Sequence, residues 1–188
     1  MSSGRRIGAA VEAGVQPAFQ SSSQQARLPL QRNKITIRDA KLSDAPALAA
    51  LMCELGYETT SAEMRQRLKS ILADARLRTF VAEIDDEVCG MIATMTHASH
   101  EHNDCSGKII ALVVSNKQRR TGIGSVLIAA AEQDFAKRKV TRVSLTTRFT
   151  REVAHQFYEA LGYSKTGFRF AKTLRPRQKT RETVHPKR

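Results

Sequence analysis

The stretch LVVSNKQRRTGIGSVLIAAAEQDF, residues 112–135, joins an apolar run to the start of an apolar-striped helix pattern. Apolar residues recur every fourth position from Ile123 to Phe135, as on the buried face of a helix. The first N–H groups of a helix have no partner within it, and its dipole is positive there. Gly122 and Gly124 let a ligand approach this backbone without meeting a Cβ atom. The stretch therefore predicts an anion site suited to a phosphate or pyrophosphate.

This anion site matches neither of two common nucleotide-binding loops. A Walker loop requires Gly-Lys-Ser/Thr, and a dinucleotide fingerprint requires a third glycine where this chain has Leu127. Taken alone, the pattern R-x-x-G-x-G also fits a loop with two glycines and solvated arginines. The strands and helices around this loop are therefore needed to distinguish an anion site from an ordinary surface loop.

Strand patterns recur along the chain as alternating or continuously apolar segments. A hairpin is predicted over residues 79–97, turning at Asp85 and Asp86, with Gly90 marking a bulge or a close backbone approach. The nearly continuous apolar run 108–114 is typical of a strand covered on both faces. Further strands are predicted at residues 34–40, 141–147 and 168–174.

Helix patterns separate these strands. The first helix is predicted to be capped by Ser43 or Asp44 and the second by Ser61. A short helix near the end of the pattern stops at Gly162, a residue suited to a left-handed C-terminal cap. The residues expected to face the core from the first two helices are Leu48, Leu51, Met52, Leu55, Met64, Leu68, Ile71 and Leu72.

The composition indicates a single α/β domain. The 188 residues are 41% hydrophobic, without Trp, and no apolar run approaches the roughly 20 residues that span a bilayer. Membrane association is therefore not expected. The cysteines, Cys53, Cys89 and Cys105, are odd in number and scattered, which does not resemble a disulfide framework. A cytoplasmic location is the resulting expectation.

The net charge of +13 is concentrated in the two flanks of the chain, since residues 1–33 carry +3 and residues 175–188 carry +5. Residues 1–33 are Ser/Gln-rich, and we expect a disordered N-terminal extension, although Arg5 and Arg6 faintly resemble a transit peptide. Residues 175–188 are expected to be a basic tail. No aromatic residues interleave with its charges, which disfavours a nucleic-acid partner. The folded domain is predicted over residues 34–174.

The element order and two motifs together resemble the GNAT superfamily of N-acetyltransferases. R-x-x-G-x-G, with Arg119, Gly122 and Gly124, looks like the pyrophosphate loop of that family, and FYEALGY, with Tyr158, is similar to its second signature. The resemblance covers roughly residues 35–174. It implies a mixed α/β (α+β) fold with a mostly antiparallel central sheet flanked by helices and a parallel βαβ cofactor-binding core.

The resemblance also implies that acetyl-CoA is the co-substrate and indicates which residues hold it. In the family, the strand before the loop splays from the next parallel strand and opens a wedge. Its backbone would pair with the pantetheine arm through Leu112, Val113 and Val114. The pyrophosphate would be held mainly by backbone amides, with an added hydroxyl donor from Ser125. The residues of this loop are Arg119, Arg120, Thr121, Gly122, Ile123, Gly124 and Ser125.

Tyr158 matches the tyrosine that lies near the cofactor sulfur in many members of the family. A phenol with a pKa of about 10 is protonated at neutral pH and can act as general acid toward a departing thiolate. The alternative is a tyrosine that only packs its ring on the core. Two positions depart from the family pattern: no acid lies on strand 108–111, and Arg151 stands where an asparagine is common. The general base therefore stays open, with a water relay, another acid or a histidine as candidates.

Two groups of polar residues are further candidates for the site. The segment HASHEHNDC does not match a structural zinc spacing, so no metal is predicted, although His97 or His100 could serve as a base. The acids of the first helix region could attract a cationic amine or could be solvated charges. The residues concerned are His97, His100, His102 and Cys105 in the first group and Glu54, Glu58 and Glu63 in the second.

The sequence thus predicts an acetyl-CoA-dependent N-acetyltransferase whose acceptor is a primary amine on a small molecule. Acetylation of a protein lysine or N-terminus is the alternative within the same class. Many members of the family carry a glutamate on the strand before the loop, and its absence from residues 108–111 also leaves open a non-enzymatic acyl-CoA-binding sensor. The sequence does not specify the oligomeric state, and a homodimer is one possible assembly.

Overall fold

A computed structural model describes residues 34–100 and 103–174 of the chain. The predicted extension, residues 1–33, and the predicted tail, residues 175–188, lie outside the described residues, so both stay predictions. Within the described part, no helix is both long and apolar enough to cross a bilayer.

One five-stranded sheet forms the centre of the domain, with its strands in chain order. Each pair of neighbours is antiparallel except the last, which is parallel. This mixed, mostly antiparallel sheet confirms the predicted fold class. The strands are β1 (Thr36–Asp39), β2 (Leu77–Ile84), β3 (Glu87–Ala98), β4 (Cys105–Val114) and β5 (Arg142–Leu145).

Four α-helices in the described part connect the strands: α1 (Ala45–Leu55), α2 (Ser61–Ala73), α3 (Ile123–Lys137) and α4 (Glu152–Ala160). Helix α3 joins β4 to the parallel strand β5, which confirms the predicted βαβ unit. Short 3₁₀ turns precede α1 and follow β4, at Leu42–Asp44 and Asn116–Gln118.

Helices cover both faces of the sheet. Neighbouring strand residues divide between the two sides: Val81 and Met91 pack with α1 and α2, whereas Ala82 and Ile92 pack with α3. This is the alternation of side chains along a strand. The buried helix residues are Leu48, Leu51, Met64 and Leu68 on the first side and Ile123, Leu127, Ile128, Ala131 and Phe135 on the second. Leu72, predicted to face the core, is instead exposed.

The β2–β3 hairpin turns at the residues expected from sequence. Asp85 and Asp86 have φ of 51° and 64°, the left-handed conformations that a tight two-residue hairpin turn needs. The register shifts between Ala82 and Glu83, which leaves an extra residue on β3 beside Gly90. A Cβ atom at Gly90 would lie 3.2 Å from Ile123 Cγ2, so both the bulge and the close approach of α3 are present.

The helix caps differ in detail from the sequence predictions. Thr60, not Ser61, caps α2, because its hydroxyl accepts from the Glu63 N–H while the Glu63 carboxylate accepts from the Thr60 N–H. Asp44 occupies the predicted N-cap position of α1, but its carboxylate makes no cap hydrogen bond to that helix. It accepts instead from the backbone N–H of Lys41 (2.7 Å) and from Arg38. Arg38 holds the pKa of this carboxyl below its ordinary value.

The predicted strand 168–174 is wrong, because the structure assigns no strand between the end of β5 and residue 174. Phe168 and Phe170 are 77% and 93% exposed. The alternation of apolar residues favours an extended backbone, but a strand also needs a hydrogen-bonded neighbour. No pairing joins this segment to the described sheet, whose order ends at β5.

Candidate active site

A wedge opens between β4 and β5. Their parallel pairing covers only Ser106–Ile109 against Arg142–Leu145, whereas β4 continues to Val114 with β3 as its partner. The parallel pairing therefore ends in the region where the family resemblance predicts a splay. Ile110, at the point where the strands part, is 52% exposed, so the expectation that this strand is covered on both faces is wrong there.

The side chains of the β4 residues beside the wedge alternate between the two faces of the sheet. Leu112, Val113 and Val114 pair with Ile92, Met91 and Gly90 of β3, which leaves their other edge without a strand partner in the described sheet. Val113 is buried among the residues under α1 and α2, while Leu112 and Val114 are partly buried on the side of α3 and α4. The backbone along this edge can pair with an extended ligand.

The turn after β4 is fixed to α1 by Glu54. The Glu54 carboxylate accepts from the backbone N–H of Asn116 (2.7 Å) and from the Ser115 hydroxyl (3.3 Å). The Ser115 N–H in turn donates to the Cys89 carbonyl (2.8 Å). From the sequence, Glu54 was expected to attract a cationic amine or to be a solvated charge. Its position next to the end of β4 depends on a contact between distant residues that no local pattern indicates.

The backbone from Arg119 to Ser125 leads from the turn after β4 into the start of α3. None of its N–H groups donates to an acceptor within residues 34–100 or 103–174. Arg120 and Gly122 have φ of 63° and 88°, so the chain turns here through the left-handed region. Consecutive free donors beside a helix N-terminus form a concavity that binds anions.

Side chains of this loop make few other contacts. The Thr121 hydroxyl donates to the Gln118 carbonyl (2.6 Å), which closes the turn, and Arg119 Nε donates to the Val114 carbonyl (3.3 Å). Arg120 and Ser125 are exposed. The two arginines therefore add positive charge near the loop, while the backbone N–H groups supply the fixed donors.

Helix α4 packs against the beginning of α3 at Gly124. A Cβ atom there would lie 3.2 Å from Cζ of Phe157 and 4.0 Å from Cγ2 of Val114. Glycine at this position therefore lets the aromatic ring approach the start of α3. The contact places the residue after Phe157, which is Tyr158, on the element that borders the loop and the end of β4.

Tyr158 lies half-buried between two aromatic rings. The ring centroids of Phe157 and Tyr163 are 5.2 and 5.8 Å from its own. Burial raises its pKa, and the positive charge of Arg151 opposes that increase. Tyr158 is therefore protonated at neutral pH. No acceptor in the described ranges takes a hydrogen bond from its hydroxyl, which leaves that proton available to a ligand.

The C-terminal cap of α4 holds this tyrosine in place. Gly162 has φ of 87°, its N–H donates to the Glu159 carbonyl, and the Tyr163 N–H donates to the Tyr158 carbonyl, both at 3.0 Å. This is a Schellman motif, and it confirms the predicted glycine cap. The Tyr163 hydroxyl donates to Glu132 of α3 (2.8 Å), which further fixes α4 on α3.

Comparison with known proteins agrees with this geometry. The model of the acetyltransferase (GNAT) family matches residues 45–163. The chain belongs to the GNAT family. Aminoalkylphosphonate N-acetyltransferase from Salmonella typhimurium is 33% identical over 139 residues, which cover 73% of this chain and 90% of that protein. Together, the family and this relative identify the chain as an N-acetyltransferase.

Solved structures show the same fold at lower identity. A transcriptional regulator from Bacillus halodurans has a TM-score of 0.69 and 21% identity, covering 75% of this chain and 100% of its own. An aminoglycoside acetyltransferase from an uncultured soil sample, in complex with trehalose, has a TM-score of 0.67 and 20% identity, covering 77% and 99%. This chain therefore shares the fold of these solved structures.

Within this GNAT domain, His97 and His100 lie far from the loop. They line a groove of about 680 Å³ with Ser106 and Arg142, at the end of β4 opposite Val114. At about 3.3 Å per residue, Ser106 and Val114 are roughly 25 Å apart along β4. No acceptor position is given by this groove, so a base role for either histidine stays a prediction. His102 lies outside the described residues.

The remaining candidates have structural roles or no contact with the site. Glu63 is the partner of Thr60 in the capping box of α2, and Glu58 is exposed. No three His, Cys, Asp or Glu side chains come close enough to share a metal ion in the part of the chain that the structure describes. All three cysteines are free thiols.

Proposed function

We propose that this GNAT enzyme transfers an acetyl group from acetyl-CoA to the primary amine of a small molecule. The observation that carries the proposal is the row of free backbone N–H groups from Arg119 to Ser125 at the start of α3. A diphosphate matches this row because its oxygens accept hydrogen bonds and its charge complements the helix dipole.

The residues present fit the rest of acetyl-CoA as well. Leu112, Val113 and Val114 offer an unpaired strand edge to the amide-bearing pantetheine arm, and the wedge between β4 and β5 gives it room. The Ser125 hydroxyl is exposed next to the N–H groups and can add a donor. Bound along this path, the thioester would reach the region bordered by Tyr158.

Tyr158 is proposed as the general acid. Its hydroxyl is protonated, half-buried and free of a protein acceptor among the described residues, as a proton donor to a leaving thiolate must be. The backbone N–H groups at the unpaired edge of β4 can stabilise the oxyanion that forms when an amine attacks the thioester carbonyl. No acidic side chain lies on β4, so the amine loses its proton to water or to a group outside that strand.

The named relative supports a small-molecule acceptor. Aminoalkylphosphonate N-acetyltransferase matches this chain over most of both proteins, which makes aminoalkylphosphonates the first amines to test. A protein lysine or N-terminus remains the alternative acceptor. The free thiols of Cys53, Cys89 and Cys105 support a reducing compartment, and we propose a cytoplasmic location.

The proposal is tested by following release of free CoA thiol from acetyl-CoA with a panel of aminoalkylphosphonates, polyamines, amino sugars and lysine peptides. Turnover is expected with at least one small amine and is expected to fall about 100-fold in Tyr158→Phe, a typical loss for a general acid. Tyr57→Phe is the matched control, because Tyr57 is 51% exposed in the loop after α1.

Two results would count against the proposal. Acetyl-CoA binding without turnover for any amine would favour the acyl-CoA sensor. Turnover with lysine peptides alone would favour a protein acceptor.

A further inference from the structure

The groove beside His97 extends to the place where β4 and β5 part. Its lining includes Ser106 of β4 and both Arg142 and Ser144 of β5. Ser144 lies one residue before Leu145, which belongs to the last pair in the register of β4 with β5. At about 3.3 Å per residue, the groove therefore begins within about 3 Å of the wedge along β5.

Polar side chains form two rows across the strands at this groove. His97 pairs with Ser106, and Ser106 pairs with Arg142, so one row crosses β3, β4 and β5. Lys108 pairs with Ser144 in the next row on the same face of the sheet. Neighbouring strands are about 4.8 Å apart, so the side chains of both rows can reach one small ligand.

Both rows lie on the face of the sheet that is opposite α3. Gly107, between the rows on β4, faces α3, because a Cβ atom there would lie 2.8 Å from the Phe135 ring. Val143, between the rows on β5, packs in the same cluster as Phe135. Alternation along each strand turns the row residues the other way. On that face Val113 is buried under α1 and α2, whereas the two rows stay exposed or partly exposed.

The donors in the groove suit an oxyanion. The Arg142 guanidinium is held by Asp104, whose carboxylate also accepts from the Thr141 hydroxyl. That ion pair offsets one positive charge, and Lys108 adds one on the same face. A phosphonate or carboxylate accepts hydrogen bonds from hydroxyl, imidazole and guanidinium groups together. The lining residues that carry such groups are His97, Ser99, His100, Ser106, Arg142, Ser144 and Thr166.

We propose that this groove binds an oxyanion on the amine acceptor, through Arg142, Ser106 and Ser144, while the amine itself lies at the wedge. This inference rests on the proposed function and deepens it, because it names the acceptor class as an amine that carries a phosphonate, phosphate or carboxylate. Ser144 and Arg142 lie about 3 and 10 Å from Leu145 along β5, which matches a short alkyl chain between the amine and the oxyanion.

Three acceptors that share an aminopropyl chain test the groove through turnover. They are 3-aminopropylphosphonate, 4-aminobutanoate and butylamine, which end in a phosphonate, a carboxylate and a methyl group. In the wild type, kcat/KM is expected to be at least about 100-fold higher for the better of the two anions than for butylamine. The ranking of the two anions identifies the oxyanion that the groove prefers.

Variants of the groove should lose this preference. Arg142→Met is expected to lower kcat/KM for the preferred anion by about 10- to 100-fold, and Ser144→Ala by about 3- to 10-fold, since a charged donor contributes more than a hydroxyl. Butylamine should change by less than about 2-fold in both. Arg148→Met, the matched loss of an exposed arginine after β5, should change neither acceptor.

Two turnover results would overturn the inference and leave acetyl transfer intact. The first is an equal loss for butylamine and the anions in Arg142→Met, because Arg142 would then act on the fold or on the cofactor. The second is an equal kcat/KM for all three acceptors in the wild type.

Binding without turnover separates this inference from the proposed function. The imidazole signals of His97 and His100, assigned with His97→Gln and His100→Gln, are followed by NMR during titration with 3-aminopropylphosphonate and with 4-aminobutanoate. A saturable shift is expected with at least one anion, its Kd should rise about 10-fold or more in Arg142→Met, and butylamine should cause no shift. No shift with either anion would overturn the inference, even if other amines are acetylated. A shift without turnover of any amine would support the oxyanion site while the proposed function fails.

Discussion

Gly122 offers the sharpest test of the anion site, because the loop can be altered there without a steric clash. Its φ is 88°, and a Cβ atom would have nothing within 4 Å. Gly122→Ala is therefore expected to cost about 1–2 kcal/mol of stability, from the left-handed backbone alone. Gly122→Glu carries the same backbone cost and also places a carboxylate among the free N–H groups.

The expected difference lies in the response to acetyl-CoA. At about 100 times its Kd, a ligand stabilises the folded state by roughly 2.7 kcal/mol. For a chain of this length each kcal/mol raises Tm by about 2–4 °C, so the wild type should gain about 5–11 °C. Gly122→Glu should lose this shift, because its carboxylate repels the diphosphate and competes for its donors. Gly122→Ala should keep most of it.

Gly162 provides matched controls for this assay. It also has a left-handed φ, of 87°, and open space around a Cβ atom, but it ends α4 rather than beginning α3. Gly162→Ala and Gly162→Glu should be destabilised like the Gly122 variants and should still respond to acetyl-CoA. The measurement is thermal unfolding with and without the ligand, supported by calorimetric titration. A full ligand shift in Gly122→Glu would refute the assignment of the pyrophosphate loop.

Three further outcomes are expected. Asp44→Asn should lower the free energy of unfolding at pH 7 by about 1.5–3 kcal/mol, because it removes a carboxylate bonded to Arg38. The pKa of Asp44 is lower in the folded state than in the unfolded state. This stabilisation is therefore complete above about pH 4 and is lost as the pH falls through the folded-state pKa. The urea unfolding curves of the wild type and of Asp44→Asn should converge at that low pH. Gly107→Ala should cost about 1–3 kcal/mol in chemical denaturation, because its Cβ would lie 2.8 Å from the Phe135 ring, whereas Gly167→Ala has open space and should change stability by less than about 0.5 kcal/mol. Arg119→Gln should raise the Kd for acetyl-CoA by at most about fivefold at physiological salt, since an exposed cation contributes about 1 kcal/mol or less; a larger loss would show that the side chain, not the backbone, holds the anion.

Local features of the sequence determined the elements and the most specific parts of the candidate site. The four-residue period from Ile123 to Phe135 gave α3, because every fourth side chain of a helix returns to one face. The hairpin turn at Asp85 and the helix stop at Gly162 were likewise predictable, since each depends on the backbone conformations that a few adjacent residues prefer. The loop and Tyr158 could be proposed as site residues from the sequence because their motifs lie within short stretches.

Tertiary structure decided what depends on contacts between distant residues. The wedge arises because β4 keeps β3 as a partner after β5 has diverged, and no residue pattern states where a pairing ends. Glu54 and Arg151 acquire their partners across more than sixty residues, through the packing of α1 beside β4 and α4. In segment 168–174, by contrast, the local pattern predicted a strand for which the structure supplies no partner. Its alternation favours an extended chain, but a strand exists only where another backbone supplies its hydrogen bonds.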